Sequence, residues 1–244
     1  AASDVYKRQL KDNGSYDWGL VGAFYRISYS YKGKYLFETS GRYDGNSKFP
    51  SNQRWGFFPS GSAGWRISEE SFLRNAEWLD NLKLRVSVGS AGNGLISDTY
   101  AYLSTMSISQ SSLLNNGSVF NYTAAPSPIP DGLTWETATT YDLGVDFEAF
   151  NGRLNFSADI YRKKTTDMYV VGEELKAVYG NSAPKGNYAD MHTDGWEASI
   201  SWRNTHTVGG KPLSYNIKVS VWDNTSKITR YTSKTGTLPT NYKV

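Results

Sequence analysis

The stretch Tyr141-Asp142-Leu143-Gly144-Val145-Asp146-Phe147-Glu148 decides the fold. Its odd positions are apolar, and its even positions are Asp142, Gly144, Asp146 and Glu148. A helix would smear this pattern around its circumference, whereas a strand puts each set on one face. The following residues repeat it: Leu154, Phe156, Ala158 and Ile160 alternate with Asn155, Ser157, Asp159 and Tyr161. Trp196, Ala198, Ile200 and Trp202 alternate with Glu197, Ser199, Ser201 and Arg203. Farther out, Tyr215, Ile217, Val219 and Val221 oppose Asn216, Lys218 and Ser220. Toward the start, Leu82, Leu84, Val86 and Val88 oppose Lys83, Arg85 and Ser87, and Tyr25, Ile27, Tyr29 and Tyr31 oppose Arg26, Ser28 and Ser30. Alternation this persistent predicts an all-β, antiparallel chain.

The pattern predicts eight strands, over 18–31, 34–44, 55–67, 82–92, 134–149, 153–169, 193–205 and 213–226. Several exceed the roughly 5–6 residues usual in soluble sheets. They suit the roughly 9–11 residues that a tilted strand needs to cross a bilayer. The connections alternate in length. Lys32-Gly33, Phe150-Asn151-Gly152-Arg153 and the turn around Gly209-Gly210 are short, and Asn-Gly is a strong hairpin signal. Residues 45–54, 93–133 and 170–192 form long connections. The exception is 68–81, where Ser68-Glu69-Glu70-Ser71-Phe72-Leu73 reads as a short helix with acidic residues in its first turn, on the short-turn side. Transmembrane barrels have short turns at one rim and long loops at the other. Trp55, Phe57 and Phe58 at one end of the third strand, and Trp65 at its other end, fit aromatic girdles at two membrane interfaces. So do the pairs Tyr31 and Tyr35, and Phe147 and Phe150, which flank short turns.

Composition narrows the classes. The chain is 39% hydrophobic yet 15% aromatic, with 18 Tyr, 10 Phe and 8 Trp, which argues against disorder. No apolar run reaches the about 18 residues of a transmembrane helix. The absence of cysteine excludes disulfides and thiolate metal sites. A net charge of +3, scattered along the chain, argues against nucleic acid as a partner. Ala1 to Gln9 lacks the apolar stretch of a signal peptide and fits no strand. Residues 1–17 are therefore expected to be a tail, non-native over 1–9, and 227–244 the truncated start of a loop, with barrel wall over 18–226 between them.

Tyr31-Lys-Gly-Lys-Tyr35 and Gly41-Arg-Tyr-Asp-Gly-Asn-Ser-Lys-Phe49 resemble the barrel region of the SusC/RagA family of TonB-linked outer-membrane receptors. Arg54-Trp-Gly-Phe-Phe-Pro-Ser60, Ser62-Ala-Gly-Trp-Arg-Ile-Ser-Glu-Glu70 and Trp78-Leu-Asp-Asn-Leu-Lys-Leu-Arg85 are similar to its most recognisable block, which continues to Gly89-Ser-Ala-Gly-Asn93. Leu133-Thr-Trp-Glu-Thr137, Tyr141-Asp-Leu-Gly144 and Asp194-Gly-Trp-Glu197 extend the likeness, with Trp196 where the family usually has an aliphatic residue. The resemblance implies about eight strands, from the C-terminal part of a plugged barrel of about 22. It also implies import across a Bacteroidota-type outer membrane, in contact with its lipid. A SusD-like surface lipoprotein, TonB-ExbB-ExbD acting through a plug region, and an oligosaccharide or peptide substrate complete that expectation. No plug or TonB box is recognisable here, so the chain is expected to be a fragment.

Each chemical motif has a plainer reading. Asp142, Asp146 and Glu148 could pair as catalytic carboxylates, but barrel alternation makes them lumen lining, together with Arg85 and Glu197. His192 and Asp194 are too few for a metal site, with His206 more than a strand length away. Gly89-Ser-Ala-Gly-Asn-Gly94 lacks the spacing of a phosphate loop. Tyr100, Tyr102, Phe120, Tyr122, Tyr179 and Tyr188 are candidates for substrate contact from the loops, with loop packing or lid contact as the alternative. No residue set supports an enzyme, a cofactor or a metal. A self-contained eight-stranded membrane barrel with a structural or adhesive role is the alternative, against which stand the tail at the start and the polar Thr232–Val244. A soluble carbohydrate-binding sandwich would need the apolar set as a dry core, with its large aromatics at the core ends.

Overall fold

The computed structural model describes residues 17–94, 96, 101–104, 106, 108–115, 117–123, 126, 128–130, 132–172, 176, 178 and 183–232. Ten strands follow in order: β1 Leu20–Tyr31, β2 Tyr35–Asn46, β3 Trp55–Arg66, β4 Leu79–Asn93, β5 Ile108–Asn115, β6 Ser118–Thr123, β7 Glu136–Ala149, β8 Leu154–Val171, β9 Lys185–Val208 and β10 Lys211–Tyr231. Eight of them form one antiparallel sheet in the order β1-β2-β3-β4-β7-β8-β9-β10. β1 and β10 are its two edges, so the wall is open among the described residues.

Register fixes which side chain faces where, because directly paired residues share a face. Ala63 pairs with Val86, Val86 with Leu143, Leu143 with Ile160, and Ile160 with Trp196. One row over, Arg85 pairs with Gly144 and Gly144 with Asp159, which pairs with Glu197. The apolar sets read from alternation therefore lie on one face across the wall, and the polar sets on the other. The apolar face stays bare: Phe37, Val86, Leu143, Ile160, Ile200 and Ile217 are all exposed.

The turns follow the chemistry expected. Lys32 and Gly33 both have positive φ, 51° and 66°, and Lys34 N donates to Tyr31 O at 3.0 Å. Gly209 and Gly210 do the same, at 58° and 77°. Such two-residue turns match the twist of the flanking strands. The three tight turns, β1–β2, β7–β8 and β9–β10, fall at one end of the sheet together with the twelve-residue β3–β4 connection, and the remaining connections fall at the other.

Four expectations need correction. The segment 68–81 holds only a single 3-10 turn, Ile67–Glu69, and β4 already begins at Leu79. The turn stays tight because Glu70 is drawn back, accepting from Lys34 Nζ and Tyr35 OH at 2.9 Å and from Trp65 Nε1 at 3.2 Å. The long connection after β4 contains the β5–β6 hairpin, whose irregular, uncharged sequence carries no clean alternation. β9 and β10 run farther than expected, from Lys185 and through Tyr231, so residues 227–231 are strand rather than loop. Phe58 does not join the outward aromatics: Trp55 and Phe57 are exposed, whereas Phe58 is buried.

Phe58 belongs to a dry cluster with Phe49, Ile96, Leu133 and Trp135 at the long-loop end. The Trp135 ring centroid lies 5.0 Å from Phe49 and 5.4 Å from Phe58, edge-on to the latter. Its Nε1 donates to Arg54 O at 3.1 Å, which satisfies the indole. Buried Asn46 ties two loops together by donating to Gly94 O at 3.2 Å and accepting from Lys48 N at 3.0 Å. Trp135→Ala in the full-length protein that carries this sequence should cost about 3–5 kcal/mol, read by urea unfolding in micelles. Phe57→Ala, next to Phe58 but facing outward, should cost much less; equal losses would contradict this placement of the core.

Candidate functional site

The polar face carries a charged band at mid-strand. Arg85 on β4 reaches across β7: its Nε donates to Asp146 at 3.0 Å, and its Nη2 donates to Asp159 Oδ2 at 2.9 Å. The same Nη2 stands 2.8 Å from Asp159 Oδ1 as an ion contact without hydrogen-bond alignment. Gly144 makes the reach possible, since a Cβ there would lie 2.8 Å from the Arg85 Cζ and collide with Asp159. Lys83 adds a contact to Asp146 at 3.8 Å. Asp142 and Glu197 border the group with no hydrogen bond or ion pair among the described residues. Carboxylates thus outnumber cations there. Nearer the short turns, Glu148 stands 3.7 Å from Arg203, whose Nε donates to Gly152 O at 2.5 Å. A recess of about 520 Å³ runs from Ser28 and Glu38 across Gly64 to Arg85 and Asp142.

A second polar cluster sits at the long-loop end. The Asn187 side chain imitates a strand neighbour: its Oδ1 accepts from Thr134 N and its Nδ2 donates to Thr134 O, both at 2.9 Å. Nδ2 also donates to Asp167 O at 2.5 Å. Asp167 has a φ of 56°, where β8 slips its register against β9. Arg230 on β10 clamps the bulge, donating to both oxygens of Asp190 at 2.6 and 2.8 Å and to Asp167 at 2.9 Å. Hydrogen bonds from Arg230, then from the Asp167 N–H, hold the Asp190 carboxyl below its ordinary pKa against the opposing effect of burial.

The expected site residues distribute as follows. Arg85, Asp142, Asp146, Glu148 and Glu197 share the polar face. Phe120 and Tyr122 are exposed and lie two apart on β6, hence on one side of the hairpin. Tyr102 instead packs against the loop core. Tyr188 is a β9 residue rather than a loop residue, and its ring covers Gly172 and Gly186. Tyr100 and Tyr179 lie outside the described residues. His192 Nε2 is 3.8 Å from Asp194, and no group of three potential metal ligands gathers among the described residues.

The architecture is an antiparallel wall with one bare apolar face, one charged face and its three tight turns at one end. Residues 3–243 match the family described as TonB dependent receptor-like, beta-barrel. The chain belongs to the TonB-dependent receptor β-barrel family. It is 33% identical over 223 residues to the TonB-dependent receptor SusC of Bacteroides thetaiotaomicron, covering 87% of this chain and 21% of that protein. A TonB-dependent receptor of Formosa agariphila is 36% identical over 187 residues, 76% of this chain and 18% of its own length. Among solved structures, the RagAB peptide transporter superposes with a TM-score of 0.69 at 23% identity, over 88% of this chain and 23% of that one. The chain therefore spans about a fifth of the length of these receptors.

Within this receptor barrel segment, sequence reasoning missed two partners of the charged band and a polar lock at the long-loop end. Asp159 and Lys83 stood in the polar sets of their strands and were legible as neighbours of Arg85. The Asn187, Asp167 and Arg230 lock was not, because it depends on a bulge and on strand ends beyond the alternating cores. Arg85→Leu should destabilise the folded barrel by about 3–5 kcal/mol by leaving Asp159 buried beside Asp146 without a cation. The thermal midpoint in micelles checks this; Ser87→Ala should stay within about 0.5 kcal/mol.

Asp190 gives a pH prediction. Its folded pKa is depressed, so its contribution is present above the ordinary carboxylate pKa of about 3.9 and is lost as pH falls through the lower folded value. Carbon-detected NMR should show Asp190 titrating below the usual range. Arg230→Met should bring the midpoint back toward it; an unmoved midpoint would contradict the clamp.

Proposed function

We propose that this chain is barrel wall from an outer-membrane importer of the SusC/RagA type, taking up oligosaccharides or peptides. The apolar face meets lipid and the charged face lines a wet lumen. The observation that carries this reading is the register, which sets an apolar row such as Ala63, Val86, Leu143 and Ile160 against a polar one across the middle of the wall, with the three tight turns gathered at one rim. A bilayer demands that backbone groups pair within the protein, and a closed antiparallel barrel meets that demand. The two unpaired edges, β1 and β10, favour a segment of a larger barrel over a self-contained eight-stranded one.

In the whole receptor, the band around Arg85, Asp142, Asp159 and Glu197 would face a plug through which TonB-ExbB-ExbD acts. The long-loop end would face outward toward a SusD-like lipoprotein, with exposed Phe120 and Tyr122 available to substrate or to that lid. Support comes from likeness to SusC and to a structure described as a peptide transporter.

The test introduces Val145→Arg and Ile200→Arg, one at a time, into the full-length protein. Each should lower folding stability by about 2–4 kcal/mol if the site lies near mid-bilayer, measured by refolding into lipid vesicles. Assembly of both variants at the unaltered level would remove the reading.

A further inference from the structure

A broad concavity of the wall lies on its apolar face, away from the charged band. It is a trough of about 860 Å³, within the roughly 300–1,000 Å³ of small-molecule sites. Two neighbouring rows of the ladder build it. One runs Ala63, Val86, Leu143, Ile160; the other runs Gly61, Val88, Tyr141, Arg162, Asp194. Both begin with a small residue on β3, which leaves the floor open beside the bulky outward rings of that strand. Across four strand spacings the trough is about 19 Å long. One end is apolar and the other is charged.

The charged end is organised. Arg162 donates through Nε and Nη2 to the two oxygens of Asp194, at 2.5 and 2.8 Å. A guanidinium has five donors, so Asp194 fixes its plane and leaves further N–H groups free. Lys164, next outward on the same face, holds its Nζ 5.6 Å from the Tyr141 ring centroid and makes no ion pair among the described residues. Lys227 and His192 face outward in the row of Lys164. Against these stand Asp194 and, in the row of Trp196, Asp223. Arg230 is neutralised by Asp190 and Asp167. A surplus of cations therefore caps an apolar trough, between the ring-bearing residues Tyr141 and Trp196.

We propose that the trough is a specific site for one membrane lipid with a phosphate headgroup. The acyl chain lies across Ala63, Val86 and Leu143, and the phosphate accepts hydrogen bonds from Arg162 and Lys164. The inference rests on the reading of this face as membrane-embedded: at that depth a lipid is the amphiphile present in excess. The charge pattern selects an anionic head over a neutral one.

The experiment uses the full-length protein, delipidated in micelles and titrated with dioleoylphosphatidylglycerol under native mass spectrometry. Dioleoylglycerol and inorganic phosphate serve as separate probes. One phosphatidylglycerol should bind in preference to dioleoylglycerol. Combined Arg162→Ala and Lys164→Ala should weaken phosphatidylglycerol about tenfold and leave dioleoylglycerol unchanged. Ala63→Phe should weaken both lipids by filling the trough, while Ile217→Phe, outward but beyond it, should change neither. Unaltered binding in the Arg162/Lys164 or the Ala63 variant overturns the site, as does displacement of the lipid by inorganic phosphate alone. The arginine substitutions at Val145 and Ile200 report separately on membrane embedding. If those disrupt assembly while lipid binding ignores the trough, the lipid site falls and the wall stands.

Discussion

Hydrogen bonding between neighbouring strands is the constraint on which the rest depends. Each strand of the wall satisfies its backbone on the next, and the resulting register leaves side chains no choice of face. A slip of one residue would turn every apolar side chain of that strand to the wrong side. Ala63, Val86, Leu143 and Ile160 line up because their strands are locked in this way, and Arg85 meets Asp146 and Asp159 for the same reason. The irregularities sit where the strands run out toward the loops or turns: Leu79 to Asn81, Thr165 to Tyr169 and Ile228 to Arg230.

A wall built this way has little core of its own. Its stability would come from the ladder and from solvent that differs on its two faces. The exception is the cluster around Trp135, which gathers residues of β3 and the long connections. It anchors the ends of those connections, leaving the β5–β6 hairpin standing apart as its own small sheet. The charged band and the loop core thus divide the work: one offers a polar surface at mid-wall, the other positions whatever the outer loops present.

Much of this was legible in the sequence, for a physical reason. Alternation has a period of two residues, so it survives without knowledge of partners, and it identified all eight wall strands together with the polar sets containing Arg85, Asp142 and Glu197. Turn chemistry was equally local, as at Lys32-Gly33 and Asn151-Gly152. What escaped depended on residues distant in the chain. Phe58 follows Phe57 among outward aromatics, yet its parity turns it inward onto Trp135. Asn187 bonds the Thr134 backbone, 53 positions away. Arg230 closes on Asp167 across 63 positions. The trough needed five strands in register before Gly61, Tyr141 and Asp194 became neighbours.

The central claim is that adjacent residues of one strand meet different solvents. The chain itself has no cysteine; with any cysteine elsewhere in the full-length protein replaced by serine, nitroxide labels can be placed singly along β8 from Leu154 to Tyr161 in the vesicle-inserted protein. The account predicts oxygen accessibility peaking at 154, 156, 158 and 160, and accessibility to a water-soluble nickel reagent peaking at the positions between. A flat profile, or the same reagent preferred at every position, would contradict it.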